Sequence, residues 1–465
     1  MENNKQLPEG WMLVDIETVA ADIISGSGFP TQYQGKSEGN YPFAKVGDIS
    51  RTFKAKQKFI KHADHYISED VFKKINAKIF PIGSIVFPKI GEALRGNYRL
   101  ITSREMLFDN NVMGIIPNKL VLEDYLFYFL TTQDFYKFAV ATAVPSIRKG
   151  DIASISFPLA PKNEQKRIVA KIEELFSEID KGIDNLLKAQ ELLKAYRQSL
   201  LKNAATGDFL VSLGLLKTAF DDSHKMNLSK AVSEHGQGWS PKCLNEPSTN
   251  ENDWAVIKTT AIQNTEFIEH ENKLLPKNLK PRLHLEIAPD DILVTRAGPR
   301  NRVGVTCLVR KCRKRLILCD KVYRIRVNQS VILPAYLEML LNSPHIIDEV
   351  ERLKTGINDS GVNLTQERFL ALELKIPSLV LQQLTLQKLQ DAISTANYLS
   401  QQINVALEKL KNIRQSILKK AFSGKLVSQD ANDEPATVLL ERIKAEKEIP
   451  RPQKKKSQQL QKVTV

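Results

Sequence analysis

The sequence predicts a mixed α/β (α+β) chain built from two similar units, each a block of ~150 residues, a common domain size, followed by a long helix. Three observations carry that prediction. "RQSLLKNAATGDFL", from Arg197, returns as "RQSILKKAFSGKLV", from Arg414, 414 − 197 = 217 residues later. Seven of the 14 paired positions are identical, where about one is expected by chance. An apolar stripe of the same period precedes each copy, and the segments before the stripes echo one another in order.

The first stripe runs Ile168, Ile172, Leu175, Ile179, Gly182, Leu186, Ala189, Leu193, Tyr196 and Leu200. Adding 217 gives Thr385, Leu389, Ala392, Ala396, Leu399, Ile403, Ala406, Leu410, Ile413 and Ile417, broken only at Thr385. Alternating steps of four and three are coiled-coil spacing, wider-ranging than one amphipathic turn. Pro161 before an Asn163 cap, and Pro377 before a Ser378 cap, mark the helix starts. Gly207 and Gly424 mark the ends, where a left-handed residue is wanted. A helix of ~50 Å with one apolar stripe would be left wet alone, so the two copies are expected to pack on each other. The stripe itself does not choose parallel or antiparallel.

In the blocks, "GSIVFPKIG" (83–91) resembles "DDILVTRAG" (290–298), with Lys89 opposite Arg296. "LFDNNVMGIIPN" (107–118) resembles "ILCDKVYRIRVN" (317–328), and "YLFYFL" from Tyr125 resembles "YLEMLL" from Tyr336. Gly10-Trp11 is paired with Gly238-Trp239. Short β-branched runs between Gly, Pro and Asn signals read as strands. The expected boundaries are 1–157 for the first block, 158–207 for the first helix and 208–236 for a linker. The second block then takes 237–375, the second helix 376–428, and a helical segment with a basic tail 429–465.

Lys plus Arg (67) exceed Asp plus Glu (53), a net charge of +14 that points to a polyanionic partner, nucleic acid ahead of a membrane surface. No stretch is apolar and long enough to span a bilayer, and "MENNKQLPEGW" lacks a secretory h-region. Cys243, Cys307, Cys312 and Cys319 fit neither a disulfide framework nor paired zinc spacing, so a reducing cytoplasm is expected.

Enzyme motifs fail. "GFPTQYQGKS" (28–37) has six residues between its glycines and Pro30 inside, unlike a phosphate loop; "SGSGF" has Thr31 where the third glycine belongs. His62 and His65 lack a third ligand, and "PDD" (289–291) has no acidic-x-Lys partner. No Asn-Pro-Pro-aromatic stretch is present for holding a flipped adenine. No catalytic or metal site is expected, and the chain reads as a binding protein. Candidate DNA contacts are the basic residues in turns after the matched strands: Lys45, Arg51, Lys89, Arg95, Arg99 and Arg104, then Lys258, Arg296, Arg300, Arg302 and Arg310. Each could pair with a guanine edge or neutralise a phosphate. A non-enzymatic coiled-coil scaffold or RNA-binding adaptor is the alternative.

"LPEGW" (7–11), "PLAPKNEQKRIVAKIEELF" (158–176), "RQSLLKNAATG" (197–207), "RQSILKKAFSGKL" (414–426) and "EPATVLLERIKAEK" (434–447) occur in an order that resembles the specificity subunits of type I restriction-modification enzymes. That resemblance implies two target-recognition domains on the two parts of a split duplex DNA target, with the long helices packed antiparallel as a coiled coil. It implies two copies of a modification subunit carrying S-adenosylmethionine, and restriction subunits using ATP and Mg2+. This chain would hold no cofactor of its own and touch no membrane.

Overall fold

Each apolar stripe folds as one unbroken helix, Lys162–Thr206 and Leu379–Ala421. The computed structural model describes residues 7–139, 144–221, 224–356 and 358–448. It divides into two units, one up to Asp184 and again from Leu407, the other Asn185–Ala406. Each long helix therefore contributes to both.

The first unit holds β1 (Met12–Asp15), β2 (Ala20–Ser25), β3 (Tyr41–Ala44), β4 (Phe59–Ile60), β5 (Tyr66–Ile67), β6 (Ile85–Pro88), β7 (Leu100–Thr102), β8 (Leu107–Phe108), β9 (Val112–Pro117) and β10 (Ser156–Leu159). The main sheet has the order β2-β9-β6-β7-β4, a second has β5-β3-β8, and β1 pairs with β10. β3 and β8 run parallel, Phe43 opposite Leu107, and a bulge between Ala20 and Asp22 interrupts β2. β6 is buried at every position, so "IVFP" reads as a continuous apolar run without alternation. The helix Ala436–Glu448 completes this unit's core with Ala436, Leu439, Leu440 and Ile443. The basic tail from 449 lies outside the described residues.

The second unit holds β11 (Lys225–Asn227), β12 (Val232–Gln237), β13 (Ala255–Ile257), β14 (Ile262–Gln263), β15 (Glu266–Phe267), β16 (Asn272–Leu274), β17 (Ile292–Thr295), β18 (Ala297–Gly298), β19 (Thr306–Leu308), β20 (Leu316–Ile317), β21 (Val322–Val327), β22 (Val362–Asn363) and β23 (Glu373–Lys375). The orders β12-β21-β17-β19 and β16-β13-β20, with β11 on β23, repeat the first unit's plan without its edge strand β4. The β13–β20 pair is again parallel, and β12 carries the same bulge, between Val232 and Glu234. β14–β15 and β18–β22 are additions.

Two expectations change. The stretch 208–236 is not a linker: β11 and most of β12 lie in it, and Phe209, Leu210 and Phe220 are buried. Its polar surface strand, Val232–Gln237, alternates too weakly to read as a strand without its partner β21. Gly238 is not the counterpart of Gly10 either. It follows β12, as Gly26 follows β2, and at both a Cβ would come within 2.0 Å of a carbonyl oxygen, of Leu318 and Asp109 respectively. The repeat at this point is a close backbone approach that only glycine permits. Trp11 instead donates from Nε1 to Glu164 Oε2 at 2.9 Å, at the start of the first long helix.

That helix begins at Lys162, so Asn163 lies inside its first turn; Ser378 does directly precede the second. A buried glutamine locks each start. Gln165 accepts from the Leu122 N–H at 3.1 Å and donates to the Ala160 carbonyl at 2.8 Å. Gln382, 382 − 165 = 217 residues on, accepts from the Leu333 N–H at 2.8 Å and donates to the Val331 and Pro377 carbonyls. Leu122 and Leu333 head the short buried helices Glu123–Thr131 and Pro334–Leu341. One amide thus ties a recognition block to its long helix, in each unit.

The helices pack antiparallel. In the second unit Gln190 bonds Asn404 and Arg197 bonds Asn397, so 197 − 190 = 7 residues up one helix matches 404 − 397 = 7 down the other. In the first unit Arg414 bonds Asp180 at 2.7 Å and lies 4.4 Å over the Phe176 ring. Arg414 and Asp180 are the repeat equivalents of Arg197 and Asn397, so one contact is made twice.

Ile168, Ile172, Ile179, Leu200, Leu389 and Ile417 are buried, and Leu175, Leu186, Leu193, Ile403 and Leu410 half-buried. Thr385 joins the buried stripe, its hydroxyl bonded to the Leu381 carbonyl at 2.7 Å. Tyr196 and Ile413 depart from the expected seam, at 50% and 38% exposed. Each precedes an arginine that crosses to the other helix, and one residue is ~100° of helix rotation, enough to turn it outward. Leu399, 47% exposed, sits at the stripe's edge, where a 3.6-residue helix drifts from a 3.5-residue pattern.

Replacing Gln165 or Gln382 by leucine leaves a buried N–H and carbonyl groups unpaired. Each change should cost about 2 kcal/mol, read as a lower midpoint in thermal unfolding of the full chain.

Candidate nucleic-acid interface

One end of each main sheet gathers the repeat's polar turns. In the first unit β2 ends at Ser25 and β6 at Pro88, both beside the start of β9. Lys89 follows β6, and its Nζ lies 3.2 Å from Ser25 Oγ. Its main-chain N–H donates to the Asn111 carbonyl at 2.9 Å. Asp109, behind the Gly26 approach, is buried; burial pushes its carboxyl above the usual range, while the Asn111 N–H and the Lys45 charge pull it down. Lys45 precedes the helix Val46–Lys54, donates to Gln34 Oε1 at 2.5 Å and lies 5.5 Å from the Phe29 ring centroid.

In the second unit Arg296 follows β17 as Lys89 follows β6. Its N–H donates to the Lys321 carbonyl, its Nε to the Asp320 carbonyl at 2.9 Å, and its guanidinium lies 5.7 Å from the Tyr323 ring centroid. Asp320 also accepts from Ser240 Oγ. Trp239, next to Ser240, lies under the Arg282 guanidinium at 4.5 Å.

The other expected contacts have different surroundings. Carboxylates hold Arg51 (Asp48 and Asp64), Arg95 (Glu92), Lys258 (Glu271), Arg300 (Glu351 and Asp359) and Arg310 (Glu338). Donating to Asp64 holds the Arg51 pKa above its ordinary value, as donating to Glu351 and Asp359 does for Arg300. Arg302 spends its guanidinium on the Thr259 and Ile262 carbonyls and on Gln263. Arg104 reaches the Asn40 carbonyl at 3.5 Å.

Arg99 is a correction. It is 1% exposed, donates to the Asn97 and Gln133 carbonyls and stacks 3.8 Å from the Phe135 ring centroid. Burial lowers its pKa to about 9, still leaving it charged at neutral pH. It closes a loop from inside, so it leaves the contact set. The sequence could not show this, because "NYRLI" places the arginine immediately before an apolar strand whose burial extends one residue further than its apolar letters.

Gly28–Ser37 leads into β3 and not into a helix, and His65 Nδ1 accepts from the Gly35 N–H at 2.9 Å. Among the described residues no cluster of three or more His, Cys, Asp or Glu could hold a metal, and no helix is long and apolar enough to cross a membrane. The four cysteines are unbonded, and burial pushes Cys307 up to about 12 and Cys319 up to about 11.

A family model described as the type I restriction modification DNA specificity domain matches residues 8–189. The type I restriction enzyme EcoKI specificity subunit of Escherichia coli (strain K12) is 23% identical over 95% of this chain and 96% of its own length. The EcoEI specificity subunit of Escherichia coli is 35% identical over 42% of this chain, a match spanning 33% of that relative. Over nearly its whole length the chain is similar to a type I restriction-modification specificity subunit. Two solved structures share its fold. The HsdS subunit from Thermoanaerobacter tengcongensis aligns over 91% of this chain and 100% of its own, with a TM-score of 0.55 at 16% identity. A chain of a type I R-M system, solved to explain complex assembly and conformational transition, covers 90% of this chain and 100% of its own, with a TM-score of 0.64 at 17% identity. The family match ends inside the first long helix, and the second unit repeats the order β2-β9-β6-β7 of the matched region as β12-β21-β17-β19.

Lys89→Ala and Arg296→Ala should each weaken binding of the specific duplex by roughly tenfold, the low end of a lost base contact. Arg310→Ala should lower the unfolding midpoint instead, because it strands the buried Glu338 carboxylate, and leave duplex affinity unchanged. Competition gel shifts beside thermal melts separate the two outcomes.

Proposed function

We propose that this chain is a specificity subunit that directs a type I restriction-modification enzyme to an asymmetric, split sequence in double-stranded DNA, each unit reading one half-site in the major groove. One observation carries the reading: a shared four-strand order, a parallel pair and a bulge occur in both units, with unlike side chains at the equivalent sheet end. Lys89 beside Ser25 and Arg296 beside Asp320 present different donor sets. Equivalent frames with different donors suit two different half-sites. The net charge of +14 supplies the sequence-independent attraction to phosphate.

The chain gives address and scaffold; catalysis belongs to other subunits. Two copies of the modification subunit, with S-adenosylmethionine for adenine methylation, and restriction subunits with ATP and Mg2+, complete the enzyme in the cytoplasm. The duplicated helices set how many unspecified base pairs lie between the half-sites.

Mapping methyl-adenine in DNA from cells carrying the complete operon should give one split motif. Exchanging residues 1–155 for the matching region of a relative should change one half of it and keep the other. A motif altered in both halves, or no motif, defeats the proposal. Inserting one heptad into both long helices should lengthen the unspecified gap, seen as a new spacing in the same map.

A further inference from the structure

Arginine side chains in the second unit are mostly held by partners within the chain. Arg300 and Arg310 pair with carboxylates, and Arg302 with main-chain carbonyls. Arg282 differs. It is exposed, and its guanidinium carbon sits over the Trp239 ring, 4.5 Å from the centroid. Among the described residues its guanidinium makes no hydrogen bond or ion pair. It stands in "LPKNLKPRLHL" (275–285), a stretch with Lys277, Lys280 and Arg282 and no acidic residue.

A chain of contacts places it. Trp239 donates its N–H to the Leu318 carbonyl at 2.9 Å, Ser240 bonds Asp320, and the Asp320 carbonyl accepts from Arg296. Arg282 therefore belongs to the same sheet end as the expected contact Arg296. In the first unit the residue that follows the equivalent close-approach glycine is Ser27, whose hydroxyl accepts from the Lys78 N–H. The first unit thus has a serine where the second has the tryptophan that carries Arg282.

We infer that Arg282, stacked on Trp239, is a base-reading residue of the second unit and takes the O6/N7 edge of a guanine in the major groove. Stacking uses the face of the guanidinium and leaves its in-plane N–H fork free. It also restricts a long side chain before DNA arrives, so less rotamer entropy is lost on binding. That fork matches the two acceptors on guanine, and no acceptor in the described chain competes for it. Trp239 is the positioning residue.

The inference rests on the proposed DNA-specificity role, and the test keeps the two apart. The split target is first mapped by methyl-adenine in cells with the complete operon; absence of a split motif defeats the specificity reading itself. Duplexes with each half-site pair changed in turn then compete for the complex assembled with modification subunits. One G·C pair of the second half-site should cost roughly tenfold or more when changed. In Arg282→Lys, which keeps the charge and loses the fork, that penalty should fall below about threefold, with every other penalty retained. Trp239→Leu should lower the same penalty part of the way. Unchanged penalties in Arg282→Lys, a change confined to the first half-site, or an equal loss on all duplexes (a phosphate contact) would each overturn it. The unfolding midpoint of Arg282→Lys should match the parent chain; a clear drop would show the side chain to be structural.

Discussion

The rest of the structure depends on a side-chain amide used twice. Gln165 and Gln382 are fully buried, and each satisfies polar main-chain groups at the point where a strand, a short helix and a long helix meet. Buried main-chain groups must be paired, and at such a junction no regular ladder reaches them. A glutamine there offers an acceptor and two donors from one rigid group. Were the amide absent, the short helix would lose its bonded start, and the block would be joined to its long helix by chain connectivity and apolar packing alone. The address function needs each reading surface held in a fixed pose on its helix, so this bond is where fold and function connect.

Charge is spent in two ways on the same molecule. A guanidinium with a carboxylate beside it, such as Arg300 with Glu351 and Asp359, holds loops together and has few donors to offer a ligand. One bonded to carbonyls in the interior, such as Arg99 or Arg302, serves as cross-link for loops that have no ladder. What remains at the sheet ends, Lys89, Arg296 and Arg282, is therefore a small part of the basic excess. The large net charge brings DNA close, while a few uncompensated donors can discriminate among sequences.

The reciprocal contact of Arg197 with Asn397 and of Arg414 with Asp180 shows what duplication has preserved and what it has relaxed. The crossing arginine is kept because it spans the seam with both a stem and a charged fork. Its acceptor has drifted between a carboxylate and an amide, a change that alters charge but keeps the bond. The outward turn of Tyr196 and Ile413 is a consequence of that crossing.

The repeat, its period and the two long helices were legible in the sequence because helical side chains recur every three or four residues and carry their pattern locally. The matched strands "SIVFP" and "DILVT" were legible for a similar reason, as short apolar runs between turn residues. Tertiary structure alone decided the rest. β12 could not be recognised as a strand, nor 208–236 as part of a unit, without the distant partner β21 that satisfies its backbone. Gly238 found its true equivalent, Gly26, only once both were seen against a carbonyl from another strand. Helix direction rested on which side chains meet across the seam, which a periodic stripe leaves open. Of the expected basic contacts, the letters alone could not tell Arg99 from Lys89, or draw attention to Arg282, because a guanidinium's availability depends on acceptors far along the chain that only folding brings beside it.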